Sequence, residues 1–259
     1  MTKNTAISFM LFSYFGITEE EYDDVEALLN AAISRAYVDM AGHVLKFHFN
    51  SESTLSNRQK KTIRHIYRQS GASVLKNGIK KEIKEFRSWH YELAKELLGV
   101  YSNYLRDEEE KIITRIEFSF GMAQKWINMT IKYIYILDTV ISDVKNEKSK
   151  LREFREKFDN PDIPVDGYII QGASKEMHME VPVREKNENL SWSKWDWTDE
   201  YKCQYYEKFQ ESLKLKCNNQ SILDFENELW IAMAKIAKDE EKNQIDKMIL
   251  EWKKNTIHK

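Results

Sequence analysis

Eight glycines and three prolines are all the backbone punctuation that 259 residues carry. A sandwich or barrel of many strands reverses direction every few residues, and tight turns draw on glycine and proline. A chain this poor in both is built from long uninterrupted elements. Between the few breaks run Lys/Glu-rich stretches with apolar residues at helical spacing, so the expected class is all-α. Apolar residues make up 42% of the chain and aromatics 12%, enough at this length for one large core. No internal repeat or low-complexity linker divides it. Residues 1–259 therefore read as a single helical domain, long enough for one large body or two lobes sharing a core.

The start, Ala6 to Phe15, is apolar but short and runs into an acidic segment, which suits a buried first element better than an export signal. Thr18 with Glu21 three residues on is a capping box, expected to open a helix to about Met40 with Val25, Leu28, Leu29, Ile33 and Tyr37 on its core face. His43 to Phe49 alternates weakly and reads as extended. Ser56 to Ser70 and Ser73 to Val100 have helical spacing, with Gly71 as the expected break. Tyr101 to Glu117 is expected to be another helix, and the turn at Phe118 to Gly121 to lead into a long one from about Met122 to Val144. Lys145 to Asn160 is charged and poor in apolar residues, as in an exposed extension. Gln171 to Leu190 has no clear period. Thr198 can cap a helix through Lys216, Ser221 another from Ile222 to about Lys238, and the tail to Trp252 is also read as helical.

The net charge of −2 argues against a purely electrostatic binder of nucleic acid or membrane. Its distribution is uneven. Between Arg58 and Arg87 stand ten Lys/Arg against two Glu, and the first of these, Arg58, Lys60, Lys61, Arg64 and Arg68, could meet a phosphate backbone. They could equally form a solvated helix face balanced by acidic runs such as Glu19 to Asp24. Cys203 and Cys217 would lie about 21 Å apart on one helix, too far for a disulfide. Nothing indicates an oxidising compartment, so a cytoplasmic, monomeric protein with no membrane partner is expected. The six histidines have no metal-ligand spacing, and no metal or other cofactor is expected.

Chemistry is concentrated in two segments. Lys125 lies near the start of the helical run Gly121-Met122-Ala123-Gln124-Lys125-Trp126, and Pro164-Val165-Asp166 follows later. The positive end of a helix dipole suits a neutral amine nucleophile. Met129 and Lys132 follow Lys125 at i+4 and i+7 and share its face. Asp166 after a proline turn can cap the helix beginning at Gly167 and can also partner the amine. Glu226 and Trp230 share a helix face four residues apart, where a carboxylate and an indole could receive the edge and face of a base.

Gly121-x-x-Gln124-Lys125, an apolar helix and then Pro164-Val165-Asp166 resemble the signature of the helix-hairpin-helix DNA glycosylase superfamily, nearest to its archaeal 8-oxoguanine glycosylase (AGOG) branch. Asp224 to Trp230 is similar to that family's late helix, with an acid four residues before a tryptophan. The resemblance implies that Lys125 attacks the sugar C1′ and forms a Schiff base, that Asp166 assists, and that Met129, Lys132, Glu226 and Trp230 line the base pocket. It also implies two lobes about an active-site cleft and a partner, double-stranded DNA with a damaged or modified base, 8-oxoguanine by the nearest branch. Met129 where that branch has an aromatic, and the long interval to Asp166, allow a different pocket and a hypermodified phage base. The Leu-Pro-Gly-x-Gly hairpin is absent before Lys125, and Ala123 stands at the second glycine of the motif.

Two other readings use different residues. Arg58 and His65 fit the loose pattern of HEPN ribonucleases, an arginine with a histidine after four to six intervening residues, and those proteins are also helical. The basic stretch alone would serve a non-catalytic nucleic-acid-binding module, and Trp192 to Trp197 could offer a stacking platform for unpaired bases.

Overall fold

The structure, a computed structural model, describes residues 1–42, 44–50, 55–101, 105–106, 112–179, 200–217 and 220–257. It is predominantly helical. The helices are α1 (Lys3–Phe15), α2 (Val25–Ala41), α3 (Asn57–Lys80), α4 (Phe86–Tyr101), α5 (Phe120–Lys145), α6 (Arg152–Glu156), α7 (Gly167–Lys175), α8 (Glu200–Lys216) and α9 (Ile222–Ile257). Strands β1 (Lys46–Phe49), β2 (Leu105–Arg106) and β3 (Ile112–Glu117) form an antiparallel sheet in the order β1-β3-β2.

The centre is α5, which is buried almost all round over its first three turns. Trp126, Ile127, Ile131, Ile134 and Leu137 are all fully covered. Each such large side chain contributes about 1.5–3 kcal/mol relative to exposure. Its most extensive partner is α2, through Leu28, Leu29, Ile33 and Ala36, and the Trp126 indole donates to the Ile33 carbonyl at 3.0 Å. Ser119 caps α5 by accepting from the Met122 N–H.

Several local expectations change. The Thr18–Glu21 capping box forms, but on a short 3₁₀ turn, Glu19–Glu21. The long helix begins only at Val25, where the Asp24 carboxylate accepts from the N–H groups of Glu26 and Ala27. Gly71 lies inside α3 and does not break it; a Cβ there would sit 2.7 Å from the Trp126 ring, so glycine serves close helix approach. The break falls at residues 81–85, where Glu85 takes the N–H groups of Arg87 and Ser88. Much of 101–117 is not helical: Thr114, Arg115, Ile116 and Glu117 pair with Phe49, His48, Phe47 and Lys46. The β-branched run Ile112-Ile113-Thr114 suits a strand once a distant partner is present.

The first element is not buried. Leu11 is covered, but Phe9, Met10 and Phe12 are more than half exposed. Residues 145–160 are anchored and not an exposed extension, because Leu151, Phe154 and Phe158 are buried and Arg152 and Arg155 pair with the buried Asp138 of α5. The expected cap Thr198 and the Trp192–Trp197 cluster lie outside the described residues, as does His43.

Candidate active site

The face of α5 that carries Lys125, Met129 and Lys132 continues through Ile136 and Val140 and floors an open cavity of about 960 Å³. α1 supplies lining through Ile7, Met10, Leu11, Tyr14 and Phe15, α2 adds Arg35 and Asp39, and α9 contributes Glu226, Asn227, Trp230 and Ile231. Asp166 reaches in from the start of α7. The six residues read from sequence as catalytic or base-binding thus line one cavity, although they come from three helices.

Asp166 sits where four donors converge. Its Oδ1 accepts from the backbone N–H of Tyr168 and Ile169 as the N-cap of α7. Its Oδ2 accepts from Lys125 Nζ at 3.4 Å and from the Trp230 indole N–H at 3.1 Å. The capping bonds fix the carboxylate's orientation, so the second oxygen is held toward the amine without a long flexible stem. Trp230 is held edge-on to the carboxylate, packs at 82° against Tyr168 and keeps 38% of its surface exposed. Its role therefore includes orienting Asp166, beyond the stacking expected of it.

A second ion pair lies beside the first. Lys132 Nζ donates to Glu226 Oε2 at 2.5 Å, with the two side chains 11% and 2% exposed. Burial raises the Glu226 carboxyl above its ordinary value, and the Lys132 ammonium partly opposes that shift. Two amines and two carboxylates are thus paired on a largely apolar cavity floor, an arrangement that can hold an organic ring and present one amine to an electrophilic carbon.

Lys125 is the sixth residue of α5, not its first. The dipole acts mainly over the first turn, so the helix-start argument does not apply to it. Burial and Asp166 define its setting instead.

The part of the lining around Arg35, Asp39, Tyr14 and Tyr133 was not read from sequence. Arg35 donates to Asp39 at 2.6 Å and lies 3.9 Å over the Tyr14 ring, Tyr133 donates to Asp39, and the Tyr14 and Tyr133 hydroxyls are 2.9 Å apart. Burial pushes the Tyr133 phenol far above its usual range, and the neighbouring Asp39 adds to this. The i, i+4 spacing of Arg35 and Asp39 was the available signal, but such pairs are common on any helix.

The basic residues lie elsewhere. On α3, Lys60 and Arg64 sit 5.6 and 5.2 Å over the Phe49 ring and Arg68 is 5.0 Å over Tyr37, while Arg58 and Lys61 are exposed. None of the five lines the cavity. Arg58 and His65 are both exposed on α3 and are likewise apart from it.

Among the described residues, no group of three or more His, Cys, Asp or Glu is placed to hold a metal ion, and no helix is long and apolar enough to cross a membrane. Cys217 is a free, buried thiol. No protein-family model matches the chain, and neither a curated protein nor a solved structure matches it.

Proposed function

We propose that the protein is a DNA glycosylase that takes a damaged or modified base into the cavity and breaks its N-glycosidic bond. The observation that carries this reading is the Lys125–Asp166 pair, 3.4 Å apart and lining an open cavity of about 960 Å³. Cleavage of the bond passes through a cationic sugar. The Asp166 carboxylate stabilises that charge, and as the glycosidic bond breaks Lys125 passes a proton to the leaving base nitrogen and its amine captures C1′. Ring opening then gives a Schiff base, from which an AP-lyase step can follow. Met129 and Trp230 offer apolar contact to the base, and Glu226 with Lys132 offers an acceptor and a donor to its edge.

What supports a two-lobed cleft is that the cavity's lining is drawn from helices far apart in the chain, α1 and α2 together with α9. In this reading the partner is duplex DNA bound by a monomer in the cytoplasm. Arg58, Lys60, Lys61, Arg64 and Arg68 of α3 contact phosphates flanking the lesion, a role that positions DNA without reading sequence.

The test is borohydride trapping on duplexes carrying 8-oxoguanine, alkylated bases or hypermodified pyrimidines. Wild type is expected to form a covalent adduct on at least one, and Lys125→Ala to form none. Asp166→Asn should lower trapping and base release together. A wild type that gives neither an adduct nor an abasic site on any of these duplexes overturns the reading.

A further inference from the structure

Residues 162–165, between α6 and α7, are buried, and this segment is not part of the sheet. Its backbone polar groups still require partners. Two glutamine side chains supply them. Gln210 of α8 accepts from the Ile163 N–H at 3.1 Å and donates to the Ile163 carbonyl at 2.9 Å. Gln124 of α5 donates to the Val165 carbonyl at 3.1 Å and faces the Val165 N–H at 3.5 Å. Each amide thus meets the N–H and C=O of one residue, and the residues served are alternate, as a neighbouring strand would serve them. Asn128 adds a donor to the Ile163 carbonyl at 3.0 Å and another to Gln124 Oε1 at 3.1 Å. All three amides are fully buried, so each is costly to leave unpaired.

Gln124 immediately precedes Lys125, and Val165 immediately precedes Asp166. We infer that Gln124 is the positioning residue of the amine–carboxylate pair: by clamping Val165 to α5, it sets the separation between Lys125 and Asp166. Gln210 holds the same segment three residues upstream of Asp166 and bonds the N–H and C=O of Ile163 in the same way, yet it does not touch the turn that carries the carboxylate. The two glutamines therefore match in burial and in how each meets one residue of the segment, while Gln124 also bonds the Gly121 carbonyl and the Asn128 amide.

This inference rests on the glycosylase reading for its kinetic consequence but not for its geometric one. Gln124→Met and Gln210→Met are compared in the full chain. The Trp230 indole N–H, assigned by Trp230→Phe, bonds Asp166 directly and reports the carboxylate's position without substrate. In Gln124→Met it is expected to exchange with solvent about tenfold faster than in wild type, and in Gln210→Met within about twofold of it. Single-turnover base release should fall about 10–100-fold in Gln124→Met, the range expected for a misplacement near 1 Å, with duplex affinity within about twofold. Gln210→Met should also lose thermal stability, by leaving the Ile163 N–H without its acceptor, but keep its rate within about threefold.

Equal effects in the two variants, or a wild-type indole in Gln124→Met, overturn the clamp. Should Gln124→Met not fold, Gln124→Glu, which keeps the shape and removes the donor to Val165, carries the same comparison. A wild type without base-releasing activity overturns the glycosylase reading alone, and the indole measurement still decides the clamp.

Discussion

His90 gives the chain a built-in acid sensitivity whose size follows from its surroundings. The imidazole on α4 is 2% exposed, its Nε2 is 3.0 Å from the Asn128 amide oxygen, and Tyr206 stacks on it at 5.7 Å and 16°. Burial disfavours the charged ring and brings its pKa down to about 4; the Asp162 carboxylate opposes this, while Arg87 and Lys214 reinforce it. Because the folded value is depressed below about 6.5, the stabilisation is fully present above that pH and is lost as pH falls toward 4. Each unit of separation is worth about 1.4 kcal/mol. The folded state should therefore lose about 2 kcal/mol between pH 7 and 5 through this group, and about 3 by pH 4. His90→Phe keeps a ring against Tyr206, gives up the hydrogen bond to Asn128 at a cost of about 1 kcal/mol at pH 7, and removes the titration. Urea denaturation of both proteins at pH 7, 6, 5 and 4 should show wild type the more stable at pH 7 and the less stable by pH 4. Parallel curves across the range would refute the argument, since the imidazole would then ionise alike in the folded and unfolded chains.

Two further outcomes are expected. Gly71→Ala places a methyl 2.7 Å from the Trp126 ring and 3.1 Å from Tyr101. The helix-propensity gain, about 1 kcal/mol, does not offset displacing a fully buried indole, and a net loss of about 1–2 kcal/mol should appear as a lower urea midpoint at unchanged slope. Glu226 has its carboxyl raised by burial, so between its ordinary and its folded value the native state holds the extra proton and stability falls as pH rises. Thermal melts of wild type and Glu226→Gln from pH 4 upward should show the wild type losing ground across that window; a gain would contradict the burial effect.

The parts of the site that could be read from sequence share one property: their geometry is local. Lys125, Met129 and Lys132 share a face because helical spacing puts them there, and Glu226 and Trp230 do so for the same reason. Asp166 caps the helix after it, as an aspartate behind a proline turn often does. Charge spacing was a weaker guide, since it placed Arg58 to Arg68 on one helix without showing that Lys60 and Arg64 lie over Phe49 and Arg68 over Tyr37.

Local pattern by itself determined that this is a helical chain, where most of its helices run, and which side chains point the same way. Tertiary structure alone decided the strand pairing of 46–49 with 114–117, the closeness that makes Gly71 a contact and not a break, and the α1–α2 wall of the cavity. It also decided that Lys125 meets Asp166 forty-one positions away, and that Gln124 reaches Val165 across the same interval. The division has a physical cause. Helical periodicity is written by interactions between residues three or four apart, whereas a site needs contacts whose partners are chosen by packing, and packing depends on every face at once.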